Sequence, residues 1–380
     1  MIQIDDIRPY HDDEVNDALQ AISRHPMIMA LLQFTFPDKP MAEIKKIVES
    51  CHSIRDFQTR VIYKSVQMVL ERSSEGFTTS GFEKLEPGVP YLFISNHRDI
   101  ILDTSLLNVA LYDHDLIMTA SAIGDNLVGK PFLLALSKLN RNFLILRNLG
   151  PREMLQSSKL VSSYIGDLIL NRSRSVWIAQ REGRTKDGND RTQQGVLKMI
   201  ALAKGRDEEV MDYFKKLKIV PVSISYEFDP TDVLKMPELM AKHYDVEYVK
   251  SNNEDFNTIL KGATGRKRRI HMSAGDVLDA ELDVIRDSGE PVNRQFQMLA
   301  EEIDHIIHKN YKLWPSNYFA YDLLNGTKEF EAEYDEKEQR QFERRIKRRV
   351  EDDHEIELKN FLLMYANPVI NKFSDEQVQK

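Results

Sequence analysis

The 380-residue sequence has one cysteine, Cys51, no excess of positive charge and no long apolar run. A lone cysteine excludes an internal disulfide framework and points to a reducing compartment. No basic cluster in the sequence around Cys51 would activate it, so it reads as a buried structural thiol. A membrane-spanning helix needs about 20 apolar residues, and the most apolar stretches, PMIMALLQFTF and PFLLALSKL, are about half that length. Any membrane is therefore expected to be met from one side. The N-terminal MIQIDDIRPYHDDEVND is acidic, without a positive segment leading into an apolar core, so neither a secretory signal nor export is expected. A formal net charge of -8 removes the broad basic field that dominates nucleic-acid binding. An anionic partner would have to be met by a local patch.

Hydrophobic residues make up 42% and charged residues 29%, the balance of a globular chain with a polar surface. The length exceeds the roughly 250 to 300 residues at which one core stops growing, so appendages or a second domain are expected. From Asp12 to Arg72 the apolar residues recur at helical spacing. The stretch RSSEGFTTSGFEKLEPGVP then interrupts with Gly76, Gly81, Pro87, Gly88 and Pro90, which places a boundary near residue 76. Short apolar runs alternate with helical ones after it: YLFIS, DLIMTAS, NFLIL, SVWIA, KIVPVSISY and RRIHMSA read as strands, and the segments between them as helices. Such alternation predicts an α/β fold with a mixed, mostly parallel sheet flanked by helices. Beyond Leu324 dense charge of both signs at helical spacing predicts surface helices. The expected organisation is an N-terminal helical domain over 1–76, an α/β domain over 77–324 and a charged helical extension over 325–380.

The chemistry-bearing residues fall at the predicted strand ends. YLFIS delivers Asn96 and His97 to the carboxyl end of a strand, where open α/β sheets bind ligands. Asp99 and Asp103 follow, and either carboxylate could fix the tautomer of His97 and stabilise its protonated form, the arrangement of a general base for a hydroxyl. Arg147 follows NFLIL, and its guanidinium suits a phosphate as readily as it suits a solvated strand end. After SVWIA comes QREGRTKDGND, in which Gly183 permits close backbone approach to a ligand while Arg181, Arg184 and Lys186 gather positive charge. The other histidines show no metal-ligand spacing apart from His305 and His308 on a predicted helix, and no metal is expected there.

In their order these blocks resemble the glycerolipid acyltransferases, the glycerol-3-phosphate and 1-acylglycerol-3-phosphate acyltransferase superfamily, over about residues 81 to 324. SNHRDIILD resembles the family's Asn-His-x-x-x-x-Asp motif, with one residue more between His97 and Asp103. NRNFLILRN resembles the second block, QREGRTKDGND the Glu-Gly-(Thr or Gly)-Arg-Ser block in a shifted register, and KIVPVSISYE the Val-Pro-Val strand. The resemblance implies His97 as the catalytic base with Asp103 or Asp99 as its partner. It implies Arg147, Glu182, Gly183 and Arg184 as acceptor ligands, with Lys186 and Arg181 as second choices. It further implies transfer of a fatty acyl group from acyl-CoA or acyl carrier protein to glycerol 3-phosphate or a lysophospholipid, in phospholipid biosynthesis. The donor thioester is then a substrate and no cofactor is needed. Backbone amides near His97 would serve the oxyanion, and the site would be cytoplasmic, peripheral at the inner face of a membrane. Two alternatives keep the fold: an O-acyltransferase for an amino-acid-based or other hydroxylated lipid, and a non-catalytic lipid-binding member. PMIMALLQFTFP and FERRIKRRV are the candidate membrane or carrier-protein contacts, against a core helix and a solvated helix face respectively.

Overall fold

The computed structural model describes residues 2–351 and 354–378. Six helices open the chain: α1 (Ile4–Ile7), α2 (Val15–Ile22), α3 (Pro26–Thr35), α4 (Met41–Glu49), α5 (Ile54–Phe57) and α6 (Tyr63–Ser73). The apolar faces of α2 to α5, among them Leu19, Ile28, Leu32, Ile44 and Phe57, close around Cys51. Burial pushes the Cys51 thiol up to about 11, which leaves it an inert core group. PMIMALLQFTF is thus a helix of this core, with Ile28 and Leu32 buried and Met29 exposed.

Seven strands form one sheet in the order β1-β7-β6-β2-β5-β3-β4. They are β1 (Ser74–Ser80), β2 (Leu92–Ser95), β3 (Thr119–Gly124), β4 (Asn142–Ile145), β5 (Ser175–Ala179), β6 (Ile219–Tyr226) and β7 (Arg268–Ala274). Five of the six pairings are parallel and only β6 against β7 is antiparallel. The sheet is therefore mixed and mostly parallel, as the alternation predicts. β2 is buried at every position, with Leu92 and Ile94 on one face of the sheet and Phe93 on the other. That period of two explains why the central strands are apolar throughout.

β1 is a strand where the sequence reads as turns. Gly76 adopts φ +135° and the register with β7 shifts between Ser74 and Gly76, so the glycine marks a bulge in an edge strand and the boundary near residue 76 falls inside it. Pro221 sits in β6 between β2 and β7, a central place in the sheet where a proline usually costs a ladder bond. Its carbonyl takes the Gly275 amide at 2.8 Å, so its backbone faces the residue just past β7, where the ladder has ended and no donor is required of it.

On one face lie α7 (Leu102–Asp113) and α6, packed on Phe93, Trp177 and Val222. On the other lie α9 (Pro151–Leu170), α10 (Gln194–Ile200), α11 (Val210–Leu217), α14 (Ala280–Asp287) and α15 (Val292–Asn310). α8 (Pro131–Leu139) shares Ala135 and Leu139 with the core of the N-terminal helices. α12 (Asp232–His243) and α13 (Glu254–Thr264) connect β6 to β7. The chain ends in α16 (Pro315–Asn325), α17 (Glu336–Lys347) and α18 (Glu355–Val378), which build an aromatic core with α12 from Phe228, Phe319, Phe342, Phe361 and Tyr365. α17 is one-sided: Arg345 is buried and Arg349 is paired with Asp232, which leaves Arg344, Lys347 and Arg348 of the basic run outward. Among the described residues no helix is long and apolar enough to cross a membrane.

Candidate active site

Parallel pairing brings the carboxyl ends of β2, β3, β4 and β5 to one edge of the sheet, and the chemistry-bearing residues follow those ends. His97 lies two residues past β2. The chain then turns and starts α7, whose second residue, Asp103, is fully buried and folds back over the turn. Its Oδ2 lies 2.8 Å from His97 Nδ1 and accepts the amides of Arg98 (2.6 Å) and Asp99 (2.9 Å). Its Oδ1 accepts the hydroxyl of Tyr226, the last residue of β6, at 2.9 Å. Burial, then the Asp103 charge, pushes the Tyr226 phenol well above its ordinary range, so it remains a donor. With four donors and the first turn of a helix around it, the carboxylate has one orientation. The imidazole packs edge-on against Trp177 at 5.5 Å, and Trp177 is held by Ser95 Oγ at 2.9 Å. His97 is 12% exposed, and among the described residues its Nε2 makes no hydrogen bond.

Asp99 points elsewhere. Its Oδ1 accepts the amides of Ile101 (3.0 Å) and Leu102 (2.9 Å) and so closes the turn that starts α7. Its Oδ2 is buried without a hydrogen bond and lies against Gly262 of α13, where a Cβ would stand 2.1 Å from it. Burial, then Asp103, raises its pKa. The residue added between His97 and Asp103 is thus taken up by a side-chain-capped turn, and Asp103 rather than Asp99 meets the ring. The amides of Arg98 and Asp99 are engaged by Asp103, which removes the nearest backbone donors from the role of oxyanion ligands.

The loop after β5 is hooked onto the same turn. Thr185 N donates to the carbonyl of His97 at 2.9 Å, and Thr185 Oγ1 donates to Asp190 at 2.8 Å. Asp190, buried, also accepts from Arg98 and from Asn96 Nδ2 (3.2 Å). Asn96 in turn pairs with both backbone groups of Ile224 in β6. His308 Nε2 lies 2.8 Å from the carbonyl of Asp190, so this histidine buttresses the loop from α15. Among the described residues no group of three or more His, Cys, Asp or Glu could hold a metal ion. Thr185, Asp190 and Tyr226 are structural partners that the sequence reading missed, and Asn96, which it placed beside His97, is a structural partner too. SNH and TKDGND drew attention to the right stretches, but nothing in them marks which polar residue is buried.

The candidate binding residues lie along the rim. Arg147 is paired with Glu182 across the ends of β4 and β5, and its amide donates to Asp125 at 3.0 Å. Gly183 takes the left-handed φ of +69° that a side chain would resist. Lys186 is paired with Glu238 of α12, and burial lowers its pKa. Arg184 differs: its guanidinium reaches only Thr231 Oγ1 at 3.4 Å and forms no ion pair among the described residues. Arg181 donates to the Glu182 carbonyl at 3.4 Å.

No curated protein sequence matches the chain. A similar solved structure is the 1-acyl-sn-glycerophosphate (LPA) acyltransferase PlsC from Thermotoga maritima, 11% identical, with a TM-score of 0.36, covering 77% of this chain and 92% of that one. A likeness that distant says nothing about chemistry. The family model described as Acyltransferase matches residues 76–225, from within β1 to the penultimate residue of β6. That segment, which is similar to the Acyltransferase family, contains His97, Asp103, Arg147 and the whole loop from Glu182 to Lys186.

Proposed function

We propose that the chain transfers a fatty acyl group from a thioester, acyl-CoA or acyl carrier protein, to a hydroxyl of glycerol 3-phosphate or a lysophospholipid, in phospholipid biosynthesis. The observation that carries this reading is the buried Asp103 on His97 Nδ1, with Nε2 left open and with Arg184, without an ion pair among the described residues, next to the Thr185 whose amide holds the His97 carbonyl. Asp103 holds the proton on Nδ1, so Nε2 is the basic nitrogen. His97 Nε2 takes the proton of the acceptor hydroxyl as its oxygen attacks the thioester carbonyl. The C–S bond then breaks and the leaving thiolate receives that proton from the imidazolium. No covalent acyl-enzyme is required. Arg184 is the first ligand for the acceptor phosphate, and Arg147 and Lys186 join it as Glu182 and Glu238 give way. Glu182, once released, is placed to bond acceptor hydroxyls. A lipid product has to reach a bilayer, and the proposal includes peripheral contact at the inner, cytoplasmic face of a membrane.

The test is thiol release from acyl-CoA and from acyl carrier protein with a panel of acceptors. Release that depends on glycerol 3-phosphate or a lysophosphatidate is expected. Absence of release from both donors with every acceptor overturns the reading. Release only with unphosphorylated acceptors keeps acyl transfer and discards phosphate recognition.

A further inference from the structure

The C-terminal helices reach the His97 turn through a buried chain of charges. On α17, Arg345 Nε donates to Asp232 at 2.7 Å and to the Tyr365 hydroxyl of α18 at 3.0 Å, and its Nη2 donates to the Asp229 carbonyl. Arg349 Nε reaches the other oxygen of Asp232 at 2.8 Å, and the Tyr365 hydroxyl donates to Asp232 at 2.9 Å. These contacts fix Asp229 to Asp232, the residues that lead into α12. The Asp229 carboxylate accepts from Thr231 N (2.8 Å), Thr231 Oγ1 (2.9 Å) and the ammonium of Lys235. Lys235 is 1% exposed and also donates to the carbonyl of Arg98 at 3.2 Å. The amide of that same peptide group, Asp99 N, donates to Asp103 Oδ2 at 2.9 Å. One peptide plane therefore lies between a buried ammonium and the carboxylate that holds His97.

We propose that Lys235 is a positioning residue for His97: it holds the Arg98–Asp99 peptide so that the Asp99 amide stays on Asp103, and α17 and α18 anchor it through Asp229 and Asp232. The charged C-terminal extension is then part of the active-site scaffold. α18 grips the neighbouring loop as well. Asn367 Nδ2 donates to the carbonyl of Asp187 at 2.6 Å, and a Cβ at Gly188 would stand 2.3 Å from the Met364 carbonyl, so the loop lies directly on the helix. The kinetic half of the proposal rests on the acyl-transfer reading, while its geometric half does not.

Lys235→Met alone leaves Asp229 buried without its ammonium partner and could unfold the chain. The experiment therefore compares it with the double variant Asp229→Asn/Lys235→Met in the full chain, in which both charges are gone and their long-range fields cancel. Three quantities are read: the unfolding midpoint, kcat with acceptor KM, and the titration of the His97 imidazole by NMR with labelled histidine. The double variant should regain most of the midpoint lost by Lys235→Met, yet keep kcat at least about tenfold below wild type with KM within about threefold. Its His97 midpoint should rise by about half a pH unit or more, because Asp103 has lost an amide donor and binds the imidazolium more strongly. Arg98, Asp99, Asp103, Arg184, Asp190, Tyr226, Lys267 and Tyr311, the other titratable and charged groups around the turn, are unchanged in both variants. Recovery of kcat together with stability, or an unmoved His97 titration, overturns the proposal. If the wild type releases no thiol, the acyl-transfer reading falls while the titration still decides the role of Lys235.

Discussion

The His97 turn and the loop after β5 are joined by the backbone bond from Thr185 N to His97 O and by Asp190 on Arg98 and Asn96, but the charged groups at Asp103 and at the outer loop are held in opposite ways. At the turn, Asp103 is fully buried and is held by two backbone amides, a tyrosine hydroxyl and the imidazole, none of which solvent can replace. At the loop the pairs are side chain to side chain near the surface, with the Glu182 side chain 69% exposed against Arg147. A buried carboxylate that loses a partner keeps its desolvation cost, whereas an exposed ion pair contributes only about 0 to 1 kcal/mol and can be exchanged for another anion. The part proposed to move a proton is thus pre-organised. The part proposed to receive a charged substrate is neutralised in a way that a phosphate can undo.

Removing the ring should give the largest effect on this contrast. His97→Ala should lower kcat on the order of 10²- to 10⁴-fold while acceptor KM stays within about threefold, because the base is lost and the rim is not. Thiol-release kinetics read both numbers, and a KM that rises in step with the fall in kcat would mean that the turn also binds substrate. Asp103→Asn is the next step down. The amide keeps the shape but cannot accept all of the donors, so kcat should fall by roughly 10²-fold. The unfolding midpoint should fall as well, since a buried donor left unmatched costs about 1 to 3 kcal/mol. An Asp103→Asn variant of unchanged stability would show that the turn is less tightly determined than its hydrogen bonds indicate.

At the rim the effect should move from kcat to KM. Arg184→Ala removes the guanidinium that lacks an ion-pair partner, so acceptor KM should rise about 10- to 100-fold with kcat within about threefold. Lys186→Ala should do less, because Lys186 is already occupied by Glu238. Equal effects of the two substitutions would remove the distinction between a waiting cation and a neutralised one.

The two regions were also legible to different degrees. The sheet could be read because β2, β4, β5 and β6 are apolar runs that end at polar clusters, and a strand buried on both faces has no alternative composition. β1 was not legible: it is an edge strand whose exposed positions and glycine bulge carry the composition of a loop. His97 and Asp103 stood out by type and spacing, although the choice of Asp103 over Asp99 lies in backbone geometry, in the two amides that Asp99 caps. The partners of the rim were hidden for another reason. Glu238 lies 52 residues beyond Lys186 and Thr231 lies 47 beyond Arg184, and charged residues with ordinary surface neighbours do not announce such pairings. Lys235 shows the same limit, since a lysine in KMPELMAKH reads as solvated and is instead among the most buried side chains in the chain.

The smallest expected effect bears most directly on whether the rim pairs are exchangeable. Glu182→Gln takes the charge from Arg147 without changing its surroundings, so the guanidinium becomes available to a phosphate. Glu182 is mostly exposed and the pair is screened, so the gain should be modest: acceptor KM lower by about two- to threefold at low ionic strength. The gain should shrink as salt is added, because the Arg147–Glu182 attraction in the wild type weakens over the same range. A Glu182→Gln variant whose KM rises instead would show that the carboxylate contacts the acceptor hydroxyls strongly enough to outweigh its competition for Arg147. Measuring the same substitution against an acceptor with one hydroxyl fewer separates these contributions, since the hydroxyl contact disappears and only the release of Arg147 remains.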